Sequence, residues 1–296
     1  MISAKVIKDS INPRGTRITT FELVYWRGIH AELLTHRAFS RNSASSRAIP
    51  VNTMLDYIEA NPAMPVHWGK NQPGMQAHTE LEPENKARVQ SLWHTACNEA
   101  LMLSKRMFNE GAHKQVANRI TEPFQHMKVV VTSTDYDNFF WLRDHADADP
   151  TLAALASKMH VAYNESVPVQ LDYGDWHLPY IDTKKEQGKI AAYFVDGEEV
   201  YLDEAKMISA SCCAQCSYRK QDTSLDKAID IYKRLIESTP VHASPVEHQS
   251  LCFDSSYYWP EGTTHRDKQG VYYSGNFRDW IQLRQLIPNN VYTAEI

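Results

Sequence analysis

Thr35-His36-Arg37-Ala38-Phe39-Ser40-Arg41-Asn42-Ser43-Ala44-Ser45-Ser46-Arg47 is the stretch that organises the reading of this chain. Three arginines, one histidine and five hydroxyl side chains fall within thirteen residues. Such a cluster gathers fixed positive charge and many hydrogen-bond donors. It suits an anionic ligand, phosphate above all, because a guanidinium fork matches two phosphate oxygens at once. The competing account is a solvated polar loop.

Upstream, Ile18 to Trp26 is rich in β-branched and aromatic residues and reads as a strand. Ile29 to Arg37 then reads as a short helix with Leu33 and Leu34 inward. The hydroxyl-rich residues 38–47 follow it, and Pro50 stops regular structure. Downstream, residues 61–83 carry Pro62, Pro65, Pro73, Gly69 and Gly74 and read as a loop, with the makings of a lid. Glu84 to Glu110 is the clearest helix. Val89, Leu92, Trp93, Ala96, Cys97, Ala100, Leu103 and Met107 recur at three- and four-residue spacing, and Gly111 follows as a stop. Cys97 belongs to that face and reads as core.

A further helix is predicted over His113–Ile120. Met127 to Thr134 fits a strand or an apolar helical turn, which periodicity does not separate. Pro150 opens a helix through Ala162, since proline is well suited to a first turn. Residues 165–204 read as irregular, with a hairpin at Asp196-Gly197. Leu225 to Ile236 is amphipathic, with Thr223 and Asp226 spaced like a capping box. An aromatic stretch spans Phe253 to Trp259, and a last helix is expected near Phe277 to Leu286, before Pro288.

Composition narrows the function. The chain has 296 residues, 43% hydrophobic and 23% charged, as in ordinary soluble proteins. A net charge of -5 argues against a nucleic-acid polymer as partner but not against a single nucleotide. No apolar run approaches the roughly 20 residues of a membrane span. Met1 to Thr20 lacks the continuous apolar core of a secretory signal. The five cysteines, Cys97, Cys212, Cys213, Cys216 and Cys252, are odd in number and read as free thiols in a reducing, cytoplasmic setting.

Several segments together resemble the flavin-dependent thymidylate synthases. The family signature is Arg-His-Arg, seven residues, then Ser. Here Thr35-His36-Arg37 is followed by seven residues and Ser45, with Arg47 two places on. Asn138-Phe139-Phe140-Trp141-Leu142-Arg143 is similar to the family's Asn-Phe-Leu-x-Leu-Arg, and Ala148-Asp149-Pro150 follows it. Ala214-Gln215-Cys216-Ser217-Tyr218 resembles Ala-Arg-Val-Ser-Tyr, and His242-Ala243-Ser244-Pro245-Val246-Glu247-His248 matches His-x-Ser-Pro-x-Glu-His. The resemblance is taken to extend over about half the chain, of which these pieces are a small part. In the family the last two precede the signature; here they follow it, which suggests a circular permutation. Such reordering is tolerable where termini lie close together. Tyr25–Arg37 also faintly echoes Tyr273–Arg284, a hint of duplication.

The resemblance implies an α+β fold, an antiparallel sheet with several long helices, over a single domain 1–296. Its signature half is 18–160 and its other half 205–290, with 61–83 and 165–204 as loop insertions. It implies transfer of a one-carbon unit from methylenetetrahydrofolate to C5 of dUMP, with FAD as cofactor, NADPH as reductant and dTMP as product, in a homotetramer. Glu32, Ser45, Ser46, Arg47, Arg119 and Arg143 would bind the nucleotide. Arg143 would be catalytic, favouring the anionic form of the uracil ring. His36, Arg37, Asn138 and His248 would hold the flavin. No metal is implied.

Thr35 departs from the signature, whose first residue is arginine; Arg41 is a possible substitute. The missing charge motivates the alternative of hydroxymethylation of dUMP or dCMP. A further alternative is a non-catalytic nucleotide- or zinc-binding protein, with Cys213, Cys216, His248 and Cys252 as the only evident zinc ligands. Structural accounts compete at each position. These are Arg143 in a salt bridge to Asp144 or Asp147, Arg119 paired with Glu122, and His36 with Arg37 serving a helix end. Glu247 reads as an orienting group.

Overall fold

The chain opens with β1 (Ser3–Ile11), turns at Gly15 and returns as β2 (Arg17–Trp26). In this computed structural model residues 1–217, 220–254 and 259–292 are described. Phe21, Leu23 and Tyr25 alternate along β2 and are fully buried on one face. Each such side chain contributes roughly 1.5–3 kcal/mol of burial. The predicted strand is therefore the heart of the main sheet.

After β2 come a 3-10 turn (Arg27–Ile29) and α1 (His30–Leu33). The predicted helix ends four residues early because the Thr35 hydroxyl donates to the Glu32 carbonyl (2.7 Å). Leu33 is buried as expected, whereas Leu34 is 43% exposed. The polar residues 38–47 contain a strand, β3 (Ser40–Ser43), rather than loop alone. Its partner is β4 (His126–Ser133), with Ser40 opposite Thr132 and Ser43 opposite Val129. β4 in turn pairs with β2 along its length, which resolves Met127–Thr134 as strand. With the short β5 (Val169–Gln170) the order is β3-β4-β2-β1-β5, antiparallel except for β1 against β5.

Between β3 and β4 lie α2 (Val51–Ala60), α3 (Pro83–Asn109) and α4 (Lys114–Ala117). Pro50 thus precedes a helix rather than ending structure. The helix predicted over 113–120 gives way at Asn118 to a 3-10 turn (Asn118–Phe124) that accommodates Pro123. Gly111 (φ 90°) closes α3 as anticipated. Cys97 is core, but much of the apolar stripe is not: Leu92 is 68% exposed, and Val89 and Leu103 are exposed too.

Beyond β4, α5 (Asp137–Arg143) and α6 (Pro150–Glu165) lay Phe139, Phe140, Leu152, Leu155 and Met159 in one core with Phe21, Leu23 and Tyr25. Asp149 caps α6, accepting from the Thr151 and Leu152 backbone N–H groups.

Residues 165–204 hold more order than expected: β6 (Trp176–His177), β7 (Asp182–Glu186), β8 (Lys189–Val195) and β9 (Glu198–Val200). The predicted hairpin is present between β8 and β9, with both Asp196 (φ 51°) and Gly197 (φ 90°) left-handed, as a tight primed turn requires. α7 (Leu202–Ala214) and α8 (Leu225–Leu235) build a second core with Ile181 and Val195. Ser224, not Thr223, caps α8; Thr223 donates to Asp196 instead.

The C-terminal part is short strands: β10 (Ser250–Leu251), β11 (His265–Arg266), β12 (Tyr272–Ser274), β13 (Phe277–Arg278) and β14 (Ile281–Gln282). The helix expected over 277–286 is therefore two strand fragments and a 3-10 turn (Leu283–Leu286). Asp279 (φ 57°) breaks the segment, and Phe277 and Trp280 fill a small core with Leu171 and Cys252. Tyr218 and most of the stretch from Phe253 to Trp259 lie outside the described residues. No described helix is long and apolar enough to cross a membrane.

Candidate functional site

The core packing of α5 against β2 brings the sequence's two most distinctive motifs together. Phe139 and Phe140 bury into the core, so Asn138 and Arg143 turn toward the turn after α1. There His36, Arg37, Asn138 and Arg143 line a cavity of about 390 Å³, with Phe39 and Phe139 as aromatic walls. Arg143 Nε donates to His36 Nε2 (3.0 Å) across 107 residues of sequence. The His36 ring stands edge-on to Phe139 at 4.8 Å. Burial, then the nearby Arg143 and Arg41 charges, push the His36 pKa down to about 4. His36 is thus a neutral imidazole whose Nε2 is the acceptor.

Arg143 also borders a larger cavity of about 750 Å³, shared with Glu32, Asp149 and the 61–83 loop. Burial and Asp149 raise the Glu32 pKa, and Arg143 opposes them. The loop is tied across this cavity by Gln76 Nε2 donating to the Asp147 carbonyl (2.7 Å). Arg143 does not form the salt bridge considered for it. Asp144 pairs with His160, and Asp147 with His145.

The other nucleotide candidates lie in the residues after β3 and in the turn before β4. Ser46 Oγ donates to Glu122 Oε1 (2.7 Å), and Arg119 Nη1 donates to the same oxygen (3.0 Å). The pairing of Arg119 with Glu122 is therefore present. Ser45 Oγ accepts from the Arg47 backbone N–H (3.3 Å), and the exposed Arg47 guanidinium has no partner among the described residues. Neither cavity is lined by these residues.

His248 lies in the interior. Its Nδ1 meets Thr132 Oγ1 (2.8 Å), and Thr132 meets Thr20 (2.7 Å). Thr20 in turn contacts His177 Nε2 (2.9 Å), and His177 Nδ1 reaches Ser10 (2.9 Å). His248 borders neither cavity, and its pKa is pushed down to about 3 by burial. Glu247 does orient a neighbour, pairing with Arg284.

Two pairs are not picked out from sequence and carry no sequence signal: Arg27 joins Glu122 at 3.1 Å, and Tyr25 bonds His30 (2.7 Å). Arg41, the substitute considered for the missing first arginine, donates to the Leu34 and His36 carbonyls. Its guanidinium braces the Thr35-His36 turn from within.

The cysteines are all free and buried. Burial pushes Cys212 up to about 12 and Cys216 up to about 11, away from thiolate chemistry. Among the described residues no group of three or more His, Cys, Asp or Glu is arranged to hold a metal.

No known protein family matches the chain, and no curated protein does. Solved structures are similar to part of it, among them two of one enzyme. One is the UMP/dUMP methylase PolB from Streptomyces cacaoi bound with 5-Br UMP, at 14% identity and TM-score 0.45, covering 56% of this chain and 89% of that one. The other is the same enzyme bound with 5-Br dUMP, at 13% identity and TM-score 0.44, covering 56% of this chain and 91% of that one.

Proposed function

We propose that this chain is a flavin-dependent enzyme that transfers a one-carbon unit from methylenetetrahydrofolate to C5 of dUMP, giving dTMP with NADPH as reductant. The observation that carries the reading is the contact of Arg143 with His36. It joins two motifs singled out separately in the sequence, and Arg37 and Asn138 share their cavity.

The residues fit a flavin. Arg37 is a cation with no protein partner among the described residues, as a pyrophosphate needs, and Asn138 brings an amide beside two aromatic walls. When bound, FAD in its reduced form supplies the hydride. The chain's own groups do the rest. His36, neutral, holds the Arg143 guanidinium in one orientation. Arg143 faces the uracil and favours its anionic form, because opposite charge stabilises the anion. Glu32 contributes a carboxyl group to the nucleotide. Ser45, Ser46, Arg47 and Arg119 take its phosphate and sugar. His248 is assigned a positioning role through Thr132 on the sheet. The same reading carries a permuted single domain over 1–296, a homotetramer and a cytoplasmic location.

Two measurements test this. Added FAD should bind with the flavin absorbance bands of a protein-bound chromophore. Incubation with dUMP, methylenetetrahydrofolate and NADPH should yield dTMP by mass. A protein that takes up no FAD overturns the reading.

Hydroxymethylation is a second reading, and Thr35 favours it. Its hydroxyl is turned onto the Glu32 carbonyl, so the signature's first cation is missing on that surface. A product heavier by one oxygen than the 5-methyl nucleotide of the same base, from dUMP or dCMP, would select this outcome.

A further inference from the structure

Glu122 Oε1 stands at the meeting point of three donors. Ser46 Oγ lies 2.7 Å away, Arg119 Nη1 3.0 Å and Arg27 Nη2 3.1 Å. They come from three segments: the residues after β3, the 118–124 turn, and the 3-10 turn that follows β2. One oxygen ringed by two guanidinium groups and a hydroxyl has the surroundings of a bound phosphate oxygen. Two cations share one carboxylate here, so the cluster keeps a net positive charge.

The donor frame is held independently of that carboxylate. Asn118 Nδ2 donates to the Ser46 and Ile49 carbonyls (2.7 and 2.9 Å), fastening the serine loop to the turn that bears Glu122. The Arg27 backbone N–H donates to the Gln125 carbonyl (2.9 Å), anchoring that arginine to the same turn. Ser46 is only 2% exposed, so its hydroxyl is a fixed donor. Arg119 is 52% exposed in its side chain, which leaves the cluster open to solvent on one side.

We propose that Glu122 is a resident counter-anion. It holds Arg27 and Arg119 together where the anionic group of a ligand binds, and the ligand must displace it. The identity of that ligand as a nucleotide phosphate rests on the function proposed above; the displacement itself does not. Affinity is then set by competition between two anions for one donor set. A neutral side chain of the same shape at position 122 makes binding tighter.

Calorimetric titration of the full chain with inorganic phosphate, dUMP and deoxyuridine tests this. Glu122→Gln should bind phosphate and dUMP about tenfold more tightly than the parent, because a charged partner is replaced by a neutral one. Deoxyuridine binding should not change. Adding Arg119→Ala should cancel the gain. Phosphate binding that is equal or weaker in Glu122→Gln overturns the proposal and makes Glu122 a strut. If that variant does not fold, Glu122→Asp serves instead. Its shorter arm reaches the arginines less well, so phosphate must again bind more tightly, and equal or weaker binding again overturns the proposal. Tighter phosphate binding with no binding of dUMP supports the counter-anion and removes the nucleotide reading. Equal dUMP and phosphate binding in both proteins does the reverse.

Discussion

Arg143 and His36 form a neutral–cationic pair, and each sets a property of the other. The guanidinium disfavours a proton on the imidazole, and the neutral imidazole accepts from Nε and fixes the guanidinium plane. Arg143→Ala should therefore raise the His36 pKa from about 4 toward the ordinary histidine range. It should also lower kcat/KM about a hundredfold, the cost of removing one preorganised electrostatic group. Titration of the His36 ring by NMR separates the two effects. An unmoved His36 titration shows that the pair is not coupled. Arg143→Lys keeps the charge but loses the planar fork, so it should restore the His36 pKa more than the activity. The buried thiols give a second residue-scale expectation. With Cys212 near 12 and Cys216 near 11, a thiol reagent at pH 8 should leave both unlabelled in the native protein. Labelling within minutes would refute this.

α6 shows how an element can be legible from its ends. Proline in its first turn and an aspartate before it are local signals, and both operate in the structure: Asp149 accepts two N–H groups that would otherwise be orphaned. Asp149→Ala should cost about 1 kcal/mol of stability, read as a lower denaturation midpoint at unchanged m-value. It should also let the Glu32 pKa fall, since Asp149 helps raise it. No loss of stability would mean that α6 is held by packing alone. α3 and the hairpin at Asp196-Gly197 were legible for similar local reasons. β3 was not, because nothing in Ser40-Arg41-Asn42-Ser43 favours a strand. Ser40 is satisfied only across the molecule, by Asn276 and Gln282. Residues 277–286 failed likewise: their apolar spacing mimics a helix, but Asp279 takes a left-handed turn and Trp280 enters a core built with Leu171 and Cys252. The Glu122 cluster was half legible. Ser46 and Arg119 carried a motif, whereas Arg27 joins only because β2 ends beside the 118–124 turn.

At the scale of the whole molecule, the sheet's second face is polar inside. Thr20 and Thr132 lie side by side on β2 and β4 and join His177 to His248, both fully buried. Hydroxyl groups meet both ring nitrogens of His177 but only Nδ1 of His248, whose buried Nε2 has no partner among the described residues; protonation would bury a charge with no carboxylate bonded to either ring. Burial accordingly pushes the His248 pKa down to about 3 and the His177 pKa well below its ordinary value. His30, His36 and His126, half-buried, are each pushed down to about 4. The unfolded chain takes up protons on these histidines near pH 6.5, and the folded chain does not. Their contribution to stability is therefore fully present above about pH 6.5 and is lost progressively as the pH falls toward 4 and below. Each fully buried histidine steepens the loss by up to about 1.4 kcal/mol per pH unit. Denaturant unfolding at pH 7.5, 6.5, 5.5 and 5.0 should thus show midpoints that change little between the first two and drop steeply thereafter. His248→Asn, which cannot titrate, should be less stable at pH 7.5 because it forfeits the fit of the ring onto Thr132, yet should lose less on going to pH 5.0. Parallel pH dependences for the parent and the variant would show that the buried pair does not set the acid limit of the fold.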